Sequence, residues 1–554
     1  MEESSNFIFD IIDEDLRDDP NLKIHTRFPP EPNGYLHIGS AKAIMINFDT
    51  AKKYGGLFNL RYDDTNPTKE DVEYVDSILE DIQWLIGEKP NGGIFYGSDY
   101  FPLCFEYAVK LIKEGKAYVC DLSKEDVIEY KGTDRAEASR VSPYRDRSVE
   151  ENLDLFYRMK NGEFPEGSHT LRAKIDPTSP NTYLRDPIIY RIKYCHHHRQ
   201  GDEWCIYPMY DFAHPIQDAT EGITHSLCSL EFENHRPLYE WVVNNIGFEK
   251  KPKQREFARL NVTNTVMSKR YLRYLVENGI VDGWDDPRLP TIHALRRRGY
   301  TPTSIMTFVR NAGVSKSDNL VDIRMLEACI RDELNETAPR RVCVVNPVKV
   351  VIDNLPKDFE ENFELPNHPQ HPEMGTRSVC FTKELYIDAE DFSEVPPPKF
   401  FRMKPEGEVR LMGAYIVRCN EVEHNEDGSV KGIHCTADLE SGNGNPADGR
   451  KIKGTIHWVS AKYAEDVTVK LYDKLFTLEN MADAETDAEG HALYNNYLNP
   501  DSLITAEHAK AEPSLKNAKV GDRFQFVRTG YFCKDSKYEN TFNRIVSLKD
   551  SFKA

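Results

Sequence analysis

The feature that most constrains this chain is a strand, a tight turn, a helix and a second strand that follow one another near its start. Lys23-Ile24-His25-Thr26-Arg27-Phe28 is strand-like and runs into Pro29-Pro30-Glu31-Pro32-Asn33-Gly34. Proline holds φ there and glycine admits left-handed backbone, so the run turns. From His37, apolar Ala41, Ile44, Met45, Phe48 and Ala51 recur at helical spacing as far as Gly55-Gly56, and Leu57-Phe58-Asn59-Leu60-Arg61-Tyr62 reads as a strand. Such a unit closes right-handed with parallel strands and binds ligands beyond their carboxyl ends. His37 and Asp63 both fall in that crevice.

The chain has 554 residues, 39% of them hydrophobic, enough for several cores. The doubly wound pattern covers residues 1–100, is interrupted by mixed helix and loop over 101–203, and resumes over 204–264 with Trp204-Cys205-Ile206-Tyr207 and the buried run Gly222 to Leu227, which ends at Cys228. Residues 265–338 read as helical, with amphipathic segments Pro302 to Ala312 and Val321 to Leu334. Short strand-like runs then alternate with turns: Val342 to Val345, Val348 to Ile352, Glu408 to Arg418, Lys453 to Val459 and Arg523 to Phe526. That pattern predicts an all-β part over 339–554 in two units, a distal one near 354–459 and a proximal one from 339–353 plus 460–554. The fold class is multidomain α/β with an all-β tail.

No segment approaches the roughly 20 apolar residues of a membrane span, and the acidic start Met1-Glu2-Glu3-Ser4-Ser5 is unlike a signal peptide, so a cytoplasmic protein is expected. The 11 cysteines are scattered with no C-x-x-C pair, which predicts reduced thiols. A net charge of -20 argues against nucleic acid only globally, because clusters such as Arg296-Arg297-Arg298 and Arg340-Arg341 can form a local positive track. No heptads demand a partner, so a monomer is expected.

His37-Ile38-Gly39 opens a helix directly after a strand, where backbone N–H groups and the helix dipole favour a phosphate, and Gly39 lets a nucleotide base lie against the backbone. Far downstream, Val266-Met267-Ser268-Lys269-Arg270 follows a strand-like run and offers a mobile ammonium for a triphosphate. The two together resemble the signature sequences of class I aminoacyl-tRNA synthetases.

Longer stretches narrow the resemblance. Arg27 to Gly39, Asp63-Asp64-Thr65-Asn66-Pro67, Tyr207 to Phe212, Cys228-Ser229-Leu230-Glu231-Phe232 and Val266 to Arg270 are similar to the glutaminyl-tRNA synthetase family, over nearly the whole chain. The resemblance implies a split Rossmann-type nucleotide-binding catalytic domain, an inserted acceptor-stem domain, a helical connector and two anticodon-binding barrels. It implies ATP-dependent activation of glutamine and transfer to tRNA(Gln), with Mg²⁺ arriving on ATP and no metal held by protein ligands.

Carried over by position, the resemblance assigns Asp63 to the substrate α-ammonium and Tyr210 to its side-chain amide, with Arg27, Gln254 and Cys228 around them. Glu31, Pro32, Asn33, His37, Ile38, Gly39, Ser40, Ala41, Lys42, Ala43, Ser229, Arg259, Leu260, Met267, Ser268 and Lys269 are assigned to ATP. His37, Lys269 and Ser40 are assigned to catalysis, and Arg340, Arg402, Gln525 and Arg528 to the anticodon. The glutamyl-tRNA synthetase relative usually has Arg where this chain has Cys228. A thiol offers no charge to a γ-carboxylate, so a pocket without a cation for an acid is expected.

Two positions depart from the family pattern. Ser40 stands where a second His is usual and can donate a hydrogen bond but carries no charge; a non-catalytic tRNA-binding relative is the alternative it raises. Asn234 stands where some relatives carry Asp against the acceptor stem. Finally, Cys195-His196-His197-His198 with Cys205 imitates a metal cluster, but its spacing fits no standard finger and neighbouring histidines on a strand face opposite ways, so a hairpin without structural zinc is expected.

Overall fold

The computed structural model describes residues 6–67, 72–132 and 140–549, so the acidic start Met1 to Ser5 lies outside the described residues. The chain divides into two compact units, residues 1–261 with 309–321, and residues 262–308 with 322–554.

In the first unit β1 (His25–Phe28), β2 (Leu57–Tyr62) and β3 (Gly93–Tyr96) form a parallel sheet with β2 central. The helix Ile38–Lys53 crosses from β1 to β2 and buries Ala41, Ile44, Met45, Phe48 and Ala51, the residues whose spacing predicted it. It stops at Gly55, which takes φ 61°, and at Gly56 a Cβ would stand 1.9 Å from the Ile24 carbonyl oxygen. Only glycine fits that crossing. A helix Phe7–Asp18 precedes the sheet; its Asn6 cap and buried Ile8 and Ile12 were not singled out in the sequence.

The interruption is a real sheet. β4 (Ala117–Cys120), β5 (Thr170–Ala173), β6 (Ile188–Ile192) and β7 (Ile206–Pro208) pair antiparallel in that order. The expectation that the doubly wound pattern resumes at Trp204 therefore needs correction, because β7 closes the inserted sheet. Its side chains Ile206 and Tyr207 are fully buried in that core with Phe101, Phe156, Tyr190 and Phe212, and burial of this kind outweighs sequence order in choosing a partner strand. The parallel pattern returns with β8 (His225–Ser229) and β9 (Lys253–Phe257). β8 meets β1 where the Thr224 N–H donates to the His25 carbonyl at 3.0 Å.

The second unit opens with helices Lys269–Glu277, Ile292–Arg298, Pro302–Ala312 (its second half lies in the first unit) and Ile323–Thr337. Two seven-stranded sheets follow, curling into barrels with separate cores. One contains Arg340–Arg341, Cys343–Val344 and the strands from Glu465–Tyr472 to Thr541–Ser547. The other runs from Pro347–Ile352 to Val459–Ser460, leaving out Glu360–Pro366 and Thr376–Thr382, which pair with each other as a separate hairpin. Pro347–Ile352, expected in the proximal unit, is central in the distal sheet: Lys349 pairs Tyr386 on one side and Gly432 on the other. Val350 and Ile352 point into that core and are fully buried.

Candidate active site and nucleic-acid interface

Helix Ile38–Lys53 begins in a reciprocal cap. His37 is its N-cap, with Nδ1 accepting from the Gly39 N–H at 3.1 Å, and the Ser40 Oγ accepts from the His37 N–H at 3.3 Å. Ser40 thus closes the cap with its lone pair and keeps its O–H as a donor. Ile38 and Ala41 are buried, so they present only backbone, and Lys42 is buried with its ammonium pKa lowered by burial, which Asp318 opposes. Ser229 at the end of β8 donates to Glu231 at 2.6 Å; Leu260 is buried and Arg259 exposed just past β9.

The loop after β2 reaches back to the first turn, where the Asp63 N–H donates to the Pro30 carbonyl at 2.9 Å. The Asp63 carboxylate accepts from the Thr65 hydroxyl at 2.7 Å, and burial pushes its pKa up to about 6 against that bond, with Glu31 adding repulsion. Asp63, Thr65, Glu31, Asn33, Asn66, Arg191, Pro208, Met209 and Tyr210 line a cavity of about 190 Å³. β7 and the insertion supply part of this wall, through Pro208 and Arg191.

Beneath it lies a buried charge network that the sequence reading missed. Tyr210, His214, Asp218 and Glu221 follow one another along the helix Tyr210–Glu221 at spacings of four, four and three, a polar stripe that was the available signal. The Arg27 Nε donates to Asp218 at 3.1 Å, its Nη1 to the Leu227 carbonyl at 2.9 Å, and its Nη2 to Ser226 at 2.5 Å and Asp218 at 3.3 Å. Arg61 donates to Asp218 at 2.7 Å and meets Glu221 at 3.1 Å. Although burial opposes it, these guanidiniums hold the Asp218 carboxyl far below the usual carboxylate range. His214 stacks on Tyr210 with ring centroids 4.9 Å apart, and both its nitrogens face guanidinium N–H groups. Burial, seconded by those two cations, keeps it neutral.

Burial likewise pushes the Cys228 thiol and the Tyr210 phenol up, so both are neutral. Gln254 is buried and donates to the Phe232 carbonyl at 3.1 Å and to Glu256 at 2.9 Å. The expectation of a pocket without cations is corrected in two respects. Arg27 is near enough to Cys228 to act on its charge, but Asp218 balances its own charge and most of its N–H groups are bonded within the protein. Arg191 lines the cavity itself, in the wall that carries Asp63 and Glu31.

The histidine run is also different from expectation. His197 and His198 lie outside regular strands and do not diverge: His197 Nε2 is 2.7 Å from the Asp64 carbonyl and His198 Nε2 is 3.1 Å from its carboxylate. Ligand atoms of Asp64, His197 and His198 come within 4.8 Å of one another. Several of their atoms already have hydrogen-bond partners, however. His197 Nδ1 accepts from the Arg199 and Gln200 N–H groups at 3.1 and 3.2 Å, and Asp64 accepts from the Ser98 N–H and Oγ, both at 2.7 Å. A cation would have to break these bonds, so the cluster is a clasp on the loop that carries Asp63. Cys205 instead donates to the Met159 and Lys160 carbonyls at 3.4 and 3.2 Å, and all the cysteines are free. Asn234 is exposed in the turn Leu230–His235, where its carbonyl accepts from Asn181 at 2.8 Å.

In the second unit Ser268 is the N-cap of helix Lys269–Glu277, and Lys269 its first residue, with Met267 half-buried before them. The four expected anticodon residues form two pairs. Arg340 lies opposite Gln525 in parallel strands; it donates to the Ala338 carbonyl at 2.6 Å and the Asn335 carbonyl at 2.9 Å, while Gln525 donates to Tyr531 at 2.9 Å. Arg528 grips Asp391 with two bonds of 2.5 and 2.7 Å, and Arg402 approaches the same carboxylate at 3.4 Å. Asp391 and His457, which sits 3.3 Å from Arg528, were not anticipated. Beside them Lys399, Phe400, Phe401, Arg402, Lys404, Lys451 and Lys453 line a cavity of about 820 Å³ together with the ion pairs Arg418–Glu406 and Arg450–Glu408, a wall in which cations outnumber acids and lie near aromatic rings, as suits single-stranded nucleic acid.

These features define a class. Residues 23–336 match the family model for tRNA synthetases class I (E and Q), catalytic domain, and residues 338–438 and 455–535 match the two models for their anti-codon binding domains. The chain belongs to the class I tRNA synthetases (E and Q). It is 55% identical over 556 residues to the glutamine--tRNA ligase of Clostridium perfringens, covering 100% of this chain and 99% of that protein. It is 53% identical over 553 residues to that of Stutzerimonas stutzeri, covering 99% and 98%. Within its class the chain is therefore a member of the glutamine--tRNA ligase family.

Proposed function

We propose that this chain activates glutamine with ATP to glutaminyl-adenylate and transfers it to the 3′-terminal ribose of tRNA(Gln), releasing AMP and pyrophosphate. The observation that carries the reading is the neutral environment of Tyr210: a protonated Cys228 beside it, and an Arg27 whose charge is balanced by Asp218 and which also bonds Ser226 and the Leu227 carbonyl. An uncharged amide needs only hydrogen-bond partners there, whereas a γ-carboxylate would lie near a neutral thiol and an Arg27 whose charge Asp218 already balances.

In this reading Asp63 receives the α-ammonium, and the amino-acid carboxylate attacks the α-phosphorus in line, with pyrophosphate leaving. No side-chain nucleophile is needed. The amides at the start of helix Ile38–Lys53, the His37 imidazole, the Ser40 hydroxyl and the Lys269 ammonium would stabilise phosphoryl charge. Magnesium comes on the triphosphate as part of the substrate and neutralises its oxygens. Glu31 to Asn33, Gly39, Ala43, Ser229, Arg259-Leu260 and Met267-Ser268 would frame the nucleotide. The all-β tail would read the anticodon through Arg340, Arg402, Gln525 and Arg528, whose flat donor groups suit splayed bases. The protein is proposed to work as a cytoplasmic monomer.

Pyrophosphate exchange with glutamine and with glutamate, each with and without tRNA, tests this. Exchange with glutamine is expected, and exchange with glutamate alone would overturn the reading in favour of a glutamyl enzyme. No exchange with either, alongside tight tRNA binding, would favour the non-catalytic relative.

A further inference from the structure

One charged group in the pocket wall has no role so far. Arg191 projects from β6 of the inserted sheet into the cavity that Asp63 and Glu31 also line. Its Nη2 donates to the Asn66 side-chain oxygen at 3.1 Å, while its Nε is buried with no hydrogen-bond acceptor among the described residues. A buried guanidinium N–H without an acceptor is uncommon, because desolvation of the donor goes uncompensated. The guanidinium therefore keeps hydrogen-bonding capacity, and it lies in the wall of the cavity.

We propose that Arg191 binds the α-carboxylate of the amino-acid substrate and holds it for attack on ATP; this rests on the functional reading above. An amino acid is a zwitterion whose two charges flank a single carbon. Seating its ammonium on Asp63 necessarily brings its carboxylate within a few ångströms of the same wall. That wall already holds the carboxylates of Asp63 and Glu31, which repel a third. Among the described residues, Arg191 is the one cation lining the cavity, and it balances this charge. Its planar fork can also orient a carboxylate through two parallel N–H bonds, with Asn66 in the same wall steadying the guanidinium. The assignment explains how a pocket containing an arginine still suits a neutral side chain, since the α-carboxylate occupies the cation. It also gives the inserted sheet a part in the first chemical step.

The other oxyanion that could meet Arg191 is a phosphate near the 3′ end of tRNA, and the experiment separates the two. Binding of glutamine and of glutaminol, which keeps the side chain and the amine but carries CH₂OH in place of the carboxylate, is measured calorimetrically on the full chain. Wild type, Arg191→Gln and Arg191→Lys are compared, with thermal melting to verify folding. Arg191→Gln is expected to weaken glutamine binding by about 30-fold or more, the scale of a lost charge-assisted pair, while glutaminol binding changes by no more than about twofold. Arg191→Lys should recover part of the loss. Equal weakening of both ligands would overturn the inference, because the side chain would then be shaping the pocket rather than binding a charge. Unchanged glutamine binding with weaker tRNA binding and a shallower salt dependence would overturn it in favour of phosphate. Failure of wild type to release pyrophosphate with glutamine would instead overturn the functional reading.

Discussion

Asp63 makes the functional reading dependent on pH in a way that can be worked out from its surroundings. Burial, with Glu31 nearby, raises its pKa from 3.8 to about 6. A carboxylate is needed to receive an ammonium, so under the proposed role of Asp63 only its ionised form captures glutamine. With a pKa of about 6 the group is about nine-tenths ionised at pH 7 and about one-tenth at pH 5. The value of kcat/KM for glutamine, which reports groups of the free enzyme, should therefore fall about tenfold between those pH values. An ordinary aspartate would remain about nine-tenths ionised at pH 5 and produce almost no change. The same shift has a stability counterpart of opposite sense. The unfolded chain ionises Asp63 above about 4 while the folded protein resists until about 6, so folding stability is lost as pH rises through that window, on the order of 3 kcal/mol in all. Asp63→Asn keeps an acceptor for Thr65 and removes that loss. The variant should melt higher than wild type at pH 7.5, equally at pH 4, and bind glutamine poorly at both. Steady-state kinetics at saturating ATP and tRNA, with melting curves across the range, give both readouts. A flat kcat/KM from pH 5 to 7 in wild type, or the same tenfold fall in Asp63→Asn, would refute the reasoning, the latter because the triphosphate or another group would be titrating.

Three further outcomes follow from the geometry. Asp218→Asn removes the carboxylate shared by buried Arg27 and Arg61, and urea denaturation should show a loss of about 3–5 kcal/mol; a loss below about 1 kcal/mol would mean that Glu221 suffices for Arg61, and the Ser226 and Leu227 bonds for Arg27. Ser40→Ala breaks the cap bond to the His37 N–H and removes a neutral phosphate donor, so about 1 kcal/mol of stability and about tenfold in kcat should go, with KM for glutamine unchanged. An unaltered kcat would leave Ser40 with a capping role only. Arg528→Gln breaks the two-point grip on Asp391, and KM for tRNA should rise about tenfold or more while pyrophosphate exchange kinetics for glutamine stay within about twofold. Equal damage to both would refute an anticodon role.

The local elements were legible wherever one physical cause dominated. The helix from Ile38 was readable because its buried positions recur with helical period, and Gly55-Gly56 ended it where a side chain would strike Ile24. Strand partnership was not readable in the same way. β7 carries a strand pattern that serves either sheet, and Pro347–Ile352 could have joined either barrel; each went to the sheet whose core buried its side chains fully. The charge network was half visible as a polar stripe on the helix Tyr210–Glu221, but nothing along the chain announces that Arg27 and Arg61 meet beneath it.

By itself, then, the order of residues determined the strand–turn–helix start, the phosphate-favouring cap at His37, the all-β tail and the family to which the chain belongs, because each depends on neighbours a few positions apart or on motifs kept whole. Tertiary structure alone decided which charges remain available. Arg27 is silenced by partners nearly two hundred residues away, Arg191 is brought from the inserted sheet to face Asp63, and paired histidines become a clasp rather than ligands. Whether a side chain can act on a substrate depends on what else has already claimed its hydrogen bonds, and that is settled only when distant segments pack together.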